Sequence, residues 1–216
     1  MVVIYMLSVI CRGEFLIRVR IVPVNGVTQK DRTRARILDE AAAAMREHGA
    51  DGIGVAALMK RAGLTHGGFY AHFASRDDMV AHSVSRMFED SSRLLERHLT
   101  DGEAGARLCS LIDAYLSVDA MRKAESGCPL PGLSGEARRM PEAARRRFAQ
   151  GVDTFIGALE NVLAELGRPE PAALAASVLS EMVGTVALAR TLDEERAAGM
   201  LEAARISLKR RLGLDG

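Results

Sequence analysis

Apolar residues recur every three or four positions along most of this chain, and this spacing constrains its fold more than any other feature. From Lys30 onwards, Ile37, Ala41 and Met45 fall on one face of a helix, and similar runs follow as far as Leu212. The composition suits helices, because 48% of the 216 residues are hydrophobic, only 4% are aromatic and none is Trp. The sequence therefore predicts an all-α body with a core of mainly Ala, Leu, Val and Met.

Residues 1–27 differ from this pattern. Ile17, Val19 and Ile21 alternate with two arginines, which is the period of a strand, before a proline and a glycine interrupt the run. We expect a flexible extension, with a basic arm that touches DNA as the alternative. Its apolar start is too short to cross a bilayer and lacks the features of an export signal, so we expect a cytoplasmic chain with no membrane anchor.

Breaks in the helical pattern predict where the helices begin and end. The first helix should run from about Lys30 to a cap at Gly49, and the second, about Ala56 to Ala62, should stop at Gly63. Thr65 is placed to cap a third helix that ends near His72. Later helices are expected from a cap at Ser75 to about Leu99, over Leu108 to Leu116, over Phe148 to Gly167, over Pro171 to Arg190 and over Glu194 to Leu212, with a proline- and glycine-rich break over Ser126 to Gly135.

The segment from Thr65 to Phe73 is a poor helix on stability grounds alone. Gly67 and Gly68 are adjacent, and each glycine in a helix costs about 1 kcal/mol relative to Ala. Close approach of the backbone to DNA would explain both glycines. Phe69 and Phe73 are four residues apart and should face the core, which would turn Tyr70 outward.

Two short helices joined by a turn at Gly63 are typical of a helix-turn-helix. The stretch from Leu64 to Met79, LTHGGFYAHFASRDDM, resembles the DNA-binding signature of the tetracycline-repressor (TetR) family, and the resemblance covers about Thr33 to Val84. It implies a three-helix DNA-binding domain over residues 28–75 and a larger helical effector-binding and dimerisation domain over residues 76–216.

The resemblance also implies contacts residue by residue. Thr65, His66 and Gly67 would face bases and phosphates at the start of the recognition helix, Tyr70 and His72 would contact the DNA backbone, and Arg76 would contact a phosphate. Two features depart from the family pattern, since Gly54 stands where Ser or Thr usually caps the second helix and Ala56-Ala57 replaces polar residues. The contacts of the second helix are therefore in doubt.

Charge permits DNA binding without requiring it. The whole chain has a net charge of only +1. Between Thr28 and Arg76, eight Lys and Arg residues face five acidic ones, which leaves a local surplus of three positive charges.

For the larger domain, the resemblance implies a homodimer that holds a small-molecule effector and releases a pseudo-palindromic operator. The last two helices are the expected dimer face, where Ala175, Ala176 and Gly184 would permit close contact, although burial inside one chain would explain them too. An effector pocket is expected among the helices from Leu108 to Leu166. Its candidate residues are Tyr115, Phe148 and Phe155, together with Cys128, which sits between Gly127 and Pro129.

Three other functions are weighed against this repressor. A repressor that senses oxidants or electrophiles through Cys128 is one alternative. A helical interaction protein without DNA binding is another. An enzyme is not expected, because the sequence lacks a GxSxG motif, a phosphate-binding glycine loop and metal-ligand spacing, so we expect neither cofactor nor metal.

Overall fold

The structure is a computed structural model that describes residues 3–11, 14–22, 28–52 and 54–214. It contains two compact units, Met1–Ala35 and Arg36–Gly216. The predicted division between residues 75 and 76 falls at the beginning of a helix inside the second unit and stays a prediction.

The first unit contains a β-hairpin. Strands β1 (Val3–Cys11) and β2 (Glu14–Val22) are antiparallel, with Val3 opposite Val22. The alternating segment recognised in the sequence lies within β2. Whether this extension is flexible in solution stays a prediction.

Helix α1 (Gln29–His48) begins in the first unit with a cap made by its own side chains. The backbone N–H of Asp31 donates to the Thr28 hydroxyl at 3.2 Å, and the backbone N–H of Thr28 donates to the Asp31 carboxylate at 3.0 Å. The Thr28 hydroxyl also donates to the Asp31 carboxylate at 2.7 Å, and this bond, together with that from the Thr28 N–H, lowers the pKa of Asp31. The cap fixes the point at which the helical region starts.

The regular elements among the described residues of the second unit are all helices, including a short 3-10 helix at Ala137–Arg139. After α1, helix α2 spans Val55–Arg61. A 3-10 helix, here named the recognition segment, spans His66–Ala71. The remaining helices are α3 (Arg76–Leu99), α4 (Ala104–Tyr115), α5 (Val118–Arg122), α6 (Leu130–Leu133), α7 (Glu142–Glu165), α8 (Pro171–Ala189) and α9 (Glu194–Arg211). The all-α prediction is confirmed for the body, whereas the short helices α5 and α6 were not predicted.

Glycines and a serine end and begin these helices as the sequence predicted. Gly49 and Gly63 have φ values of +85° and +65°, which L side chains rarely adopt. After α2, the N–H of Leu64 bonds to the carbonyl of Met59 and the N–H of Gly63 to that of Lys60, which closes the tight turn before the recognition segment. At the start of α3, the Ser75 hydroxyl accepts the N–H of Asp78 at 3.0 Å.

The core lies where α3 crosses α7. Phe88 on α3 meets Phe148 on α7 edge to face, with ring centroids 5.3 Å apart. Gly151 on α7 lies so close to Phe88 that a Cβ atom there would be 2.3 Å from the ring. Helix α3 packs against α7, α7 against α8 and α8 against α9, so these four helices form the core. Helix α3 also follows the recognition segment in the chain and therefore joins the N-terminal helices to this core.

Candidate nucleic-acid interface and ligand cavity

The aromatic residues of the recognition segment, and Phe73 two residues after it, divide between core and solvent as predicted. Phe69 is 0% exposed and Phe73 2% exposed, whereas Tyr70 is 69% exposed. The two phenylalanine rings pack 5.4 Å apart, and Tyr70 meets the Phe69 ring edge-on at 5.3 Å. The core thus anchors the segment through its phenylalanines and presents Tyr70 on the surface.

Thr65, His66 and Gly67 lie beside Tyr70 on the same exposed stretch of chain. Thr65 holds the N-cap position, but its side chain makes no capping hydrogen bond, so that part of the helix prediction was wrong. The segment is a 3-10 helix and not a regular α-helix. The first turn therefore has no capping hydrogen bond from the Thr65 side chain among the described residues.

The glycine pair has no packing reason inside the protein. A Cβ atom at Gly67 would meet nothing within 4 Å, and one at Gly68 would make only ordinary contacts with Met59 and Thr65, the closer at 3.6 Å. Neither residue has a positive φ. The chain would therefore accommodate alanine at both positions.

His72 and Arg76 are more enclosed than the recognition segment. His72 is half-buried and its Nδ1 has no hydrogen-bond partner among the described residues. Arg76 donates from Nη2 to the carbonyl of Ala50 at 2.9 Å and pairs with Asp51 at 3.2 Å. Arg76 therefore ties the turn after α1 to the start of α3, and a phosphate would compete with Asp51 for it.

The positive charge of α2 is partly neutralised. Arg61 bonds to Glu40 and Glu47 on α1, each at 3.1 Å, and these hydrogen bonds raise its pKa. Lys60 is exposed and forms no ion pair within the described residues. Gly54 caps α2 without a side-chain hydrogen bond, in line with the departure noted in the sequence.

A cavity of about 600 Å³ opens between α3, α4, α5 and α8, within the size range of small-molecule sites. Tyr115 and Cys128, two of the four predicted pocket residues, line it. Phe148 and Phe155 do not, because Phe148 packs on Phe88 and Phe155 on Tyr115, and both are buried. The cavity wall also includes Arg190, the residue after α8, which sequence reasoning did not single out.

Tyr115 and Cys128 face each other in a desolvated part of this wall. Tyr115 is 3% exposed, and burial raises the pKa of its hydroxyl well above the ordinary value. Burial also raises the pKa of the Cys128 thiol. A reactive cysteine needs a lowered pKa to supply thiolate at neutral pH, so this environment gives no support to the thiol-sensor alternative.

Comparison with known proteins agrees with the observed geometry. Residues 37–82 match the family model described as bacterial regulatory proteins, tetR family. No curated relative matches the chain.

Solved structures match nearly the whole chain in fold. NemR from E. coli in its reduced form is 22% identical with a TM-score of 0.74, covering 83% of this chain and 96% of NemR. A TetR transcriptional regulator from Chloroflexus aurantiacus is 22% identical with a TM-score of 0.75, covering 86% and 96%. The TetR-family regulator from Cytophaga hutchinsonii is 17% identical with a TM-score of 0.77, covering 88% and 97%. At these identities the likeness is one of fold.

Proposed function

We propose that this chain, which belongs to the tetR family of bacterial regulatory proteins by its DNA-binding domain and its fold, is a homodimeric repressor that a small molecule releases from its operator. The DNA-binding contacts would come from Thr65, His66, Gly67, Gly68 and Tyr70. His72 and Arg76 would support them from the end of the recognition segment. The effector would bind in the cavity beside Tyr115.

The single observation that carries this proposal is the exposure of Tyr70 between two buried phenylalanines. Beyond its edge contact with Phe69, this exposed ring contributes little to the fold. On a segment that enters a DNA groove, its ring and hydroxyl can meet the sugar and phosphate of the backbone. Phosphate contacts hold the protein in register and are independent of base sequence.

The proposed dimer face lies on α8 and α9. Helix α8 is the one helix among the described residues that is long and apolar enough to span a membrane, yet only 33% of its apolar window is buried in the chain. Leu188 on α8 and Ile206 on α9 are 59% and 44% exposed. Ala176 and Gly184 are partly exposed, whereas Ala175 is fully buried and serves the chain's own packing. A second copy would cover this apolar surface.

Arg46 supplies a route from the cavity to the DNA-binding helices. Its side chain on α1 is 4% exposed, and Nη2 donates to Asp90 at 3.0 Å and to the carbonyl of Met87 at 3.3 Å, both on α3. Nη1 donates to the carbonyl of Glu125 at 3.2 Å. Asp90 lines the cavity and Glu125 precedes three lining residues, so a ligand that moves this wall would move α1. A small rotation suffices, since the two recognition segments of a dimer must stay roughly 34–36 Å apart.

The test is Tyr70→Ala in full-length protein whose dimeric mass has been checked by light scattering. Operator fragments are first recovered from genomic DNA with the wild-type protein. We expect the variant to bind operator and random DNA about tenfold more weakly in each case, since a backbone contact is lost from both complexes. Fluorescence anisotropy with labelled duplexes measures both affinities.

Tyr70→Phe is the matched control, because it keeps the ring and removes only the hydroxyl. Its affinity should lie between those of wild type and Tyr70→Ala, and the unfolding midpoint of both variants should stay close to wild type. If Tyr70→Ala binds both DNAs as wild type does, the proposed docking is wrong.

A further inference from the structure

The charges that line the cavity indicate which class of small molecule it binds. This inference rests on the proposed function only in calling that molecule an effector. Cationic lining residues are Arg93, Arg97, Lys123 and Arg190, whereas Asp90 and Asp119 are the acidic ones. His98 adds no charge at neutral pH, because burial, and after it the charge of Arg97, lowers its pKa. The lining therefore has a surplus of two positive charges.

The acidic side of this balance is already occupied at Asp90. Its carboxylate pairs with Arg46 at 3.0 Å, with Arg86 at 3.0 Å and with Arg93 at 2.8 Å. It is thus saturated by cations and unable to attract a cationic ligand. The positive groups of the wall are less fully paired.

Arg190 is the cation that lies deepest among them. Its Nε donates to the carbonyl of Met121 at 3.2 Å, but its two terminal nitrogens have no ion pair or hydrogen bond among the described residues. They lie against the backbone at Gly127 and Gly132, where a Cβ atom would be 3.9 and 3.8 Å away. Burial is the largest effect on the pKa of Arg190 and lowers it, whereas the charge of Glu125, which lies outside the lining, acts in the opposite direction.

Tyr115 supplies an independent observation in the same wall. Its hydroxyl is buried and has no nitrogen or oxygen partner among the described residues, and it is the one such atom among the lining residues. Its polar neighbour is the Cys128 thiol, which is a weak partner for a hydroxyl. A buried donor of this kind is costly unless a ligand accepts from it.

The uncharged part of the lining combines apolar residues with three serines, Ser91, Ser117 and Ser126. Leu94, Ala114, Pro131 and Val186 give the cavity apolar walls. A volume of about 600 Å³ exceeds what a bare inorganic anion needs. Apolar walls around a donor pair fit an organic molecule with one acidic end.

We propose that the effector is a small organic carboxylate whose acidic group is bound by the Arg190 guanidinium and the Tyr115 hydroxyl, with its apolar body against Leu94 and Val186. The planar guanidinium matches a carboxylate with two parallel N–H donors. Lys123 and Arg97, both exposed at the cavity edge, draw anions towards it.

The experiment compares matched probes on the full-length protein by isothermal titration calorimetry. Benzoate and octanoate are the carboxylates, benzamide and octanol are their neutral analogues, and octylamine is the cationic one. At least one carboxylate should bind about tenfold or more tightly than its neutral analogue, because charge-assisted hydrogen bonds are lost with the acid. Octylamine should bind most weakly.

Variants assign the binding to the two named groups. Arg190→Gln should weaken carboxylate binding about tenfold and Tyr115→Phe roughly fivefold, with little effect on the neutral analogues. Arg168→Gln is the matched control, since Arg168 is also a partly buried arginine that donates to one backbone carbonyl, that of Gly213, and it lies outside the cavity. Its affinity should equal that of wild type.

Three outcomes would overturn the proposal: neutral or cationic probes that bind as well as carboxylates, an Arg190→Gln variant with unchanged affinity, or no carboxylate binding at millimolar concentration. Phosphate esters that bind where carboxylates do not would also reject it. These titrations need no DNA, so a protein that binds carboxylates but no operator would contradict the proposed function alone. Operator binding without carboxylate binding would contradict this inference alone.

Discussion

The recognition segment and the cavity both hold polar groups without strong partners among the residues that the structure describes, but these groups differ in their access to water. Tyr70 and His66 are exposed, so solvent satisfies them and the folded chain bears little cost. Tyr115 is buried and Arg190 half-desolvated, so their missing partners cost stability. A ligand therefore gains more free energy per hydrogen bond in the cavity than at the surface. Affinity for a small molecule can therefore be built on few groups, whereas DNA binding needs many.

The largest expected effect comes from cutting the connection between the two regions. Arg46→Met removes a buried side chain that bonds α1 to α3 and to the carbonyl of Glu125 beside the cavity. We expect it to lower the free energy of unfolding by about 2 kcal/mol. The loss should stay moderate because the Asp90 carboxylate would still pair with Arg86 and Arg93. Urea unfolding followed by circular dichroism measures it. The variant should still bind DNA and ligand, but the ligand should no longer release the DNA.

Arg61→Met is the control for this variant, because Arg61 also bonds to two carboxylates but does so at the surface within the DNA-binding helices. Surface ion pairs contribute little, so its unfolding free energy should change by less than about 1 kcal/mol. If the ligand still releases DNA from the Arg46→Met protein as it does from wild type, the proposed route through Arg46 is wrong.

An intermediate effect is expected at the glycine pair. Alanine at Gly67 and Gly68 fits the chain, so the double variant should be as stable as wild type or more stable by about 1 kcal/mol. Its affinity for operator should nevertheless fall about tenfold, roughly 1.4 kcal/mol, if DNA approaches the backbone there. Thermal unfolding and anisotropy titration separate the two quantities.

Gly63→Ala serves as the opposite case, because its φ of +65° should make it lose about 1 kcal/mol of stability. A double variant at positions 67 and 68 that binds operator normally would show that the glycines have no role at the DNA.

The smallest effect is expected at the start of α2. Gly54→Ser places a hydroxyl where it can accept a backbone N–H of the first turn, which should raise the unfolding free energy by roughly 0.3 kcal/mol. Precise chemical denaturation with replicate midpoints can resolve it. Carboxylate affinity should be unchanged, because the two regions should behave independently at distant sites. A loss of stability would show that the backbone at residue 54 does not behave as an ordinary N-cap.

The recognition segment was predictable because its determinants are local. The spacing of Phe69 and Phe73 and the glycine at 63 fix which side faces the core and where the chain turns, and the structure confirms both. The 3-10 geometry was not predicted. With Gly67 and Gly68 adjacent and no cap from Thr65, too few α-helical hydrogen bonds can form to hold a regular helix.

The cavity was only partly predictable because it depends on distant contacts. Periodicity shows that Phe148 and Phe155 are buried, but it cannot distinguish a cavity wall from a close-packed core. Arg190 lies 75 residues after Tyr115, and only the packing of α8 brings both to one wall. A positively charged residue at the end of an apolar helix is the sequence signal that could have pointed to it.

The close approach of Gly151 to Phe88 limits how α3 can transmit a movement. Phe88 lies near the middle of this 24-residue helix, about 18 Å from either end. Because the ring fills the notch left by the missing Cβ, α3 cannot slide along α7 without a steric clash. In the proposed mechanism α3 would instead tilt about the contact between Phe88 and Gly151, so a displacement near Leu94 would move Arg76 in the opposite direction. A larger residue at position 151 would clash with the Phe88 ring and prevent this tilt.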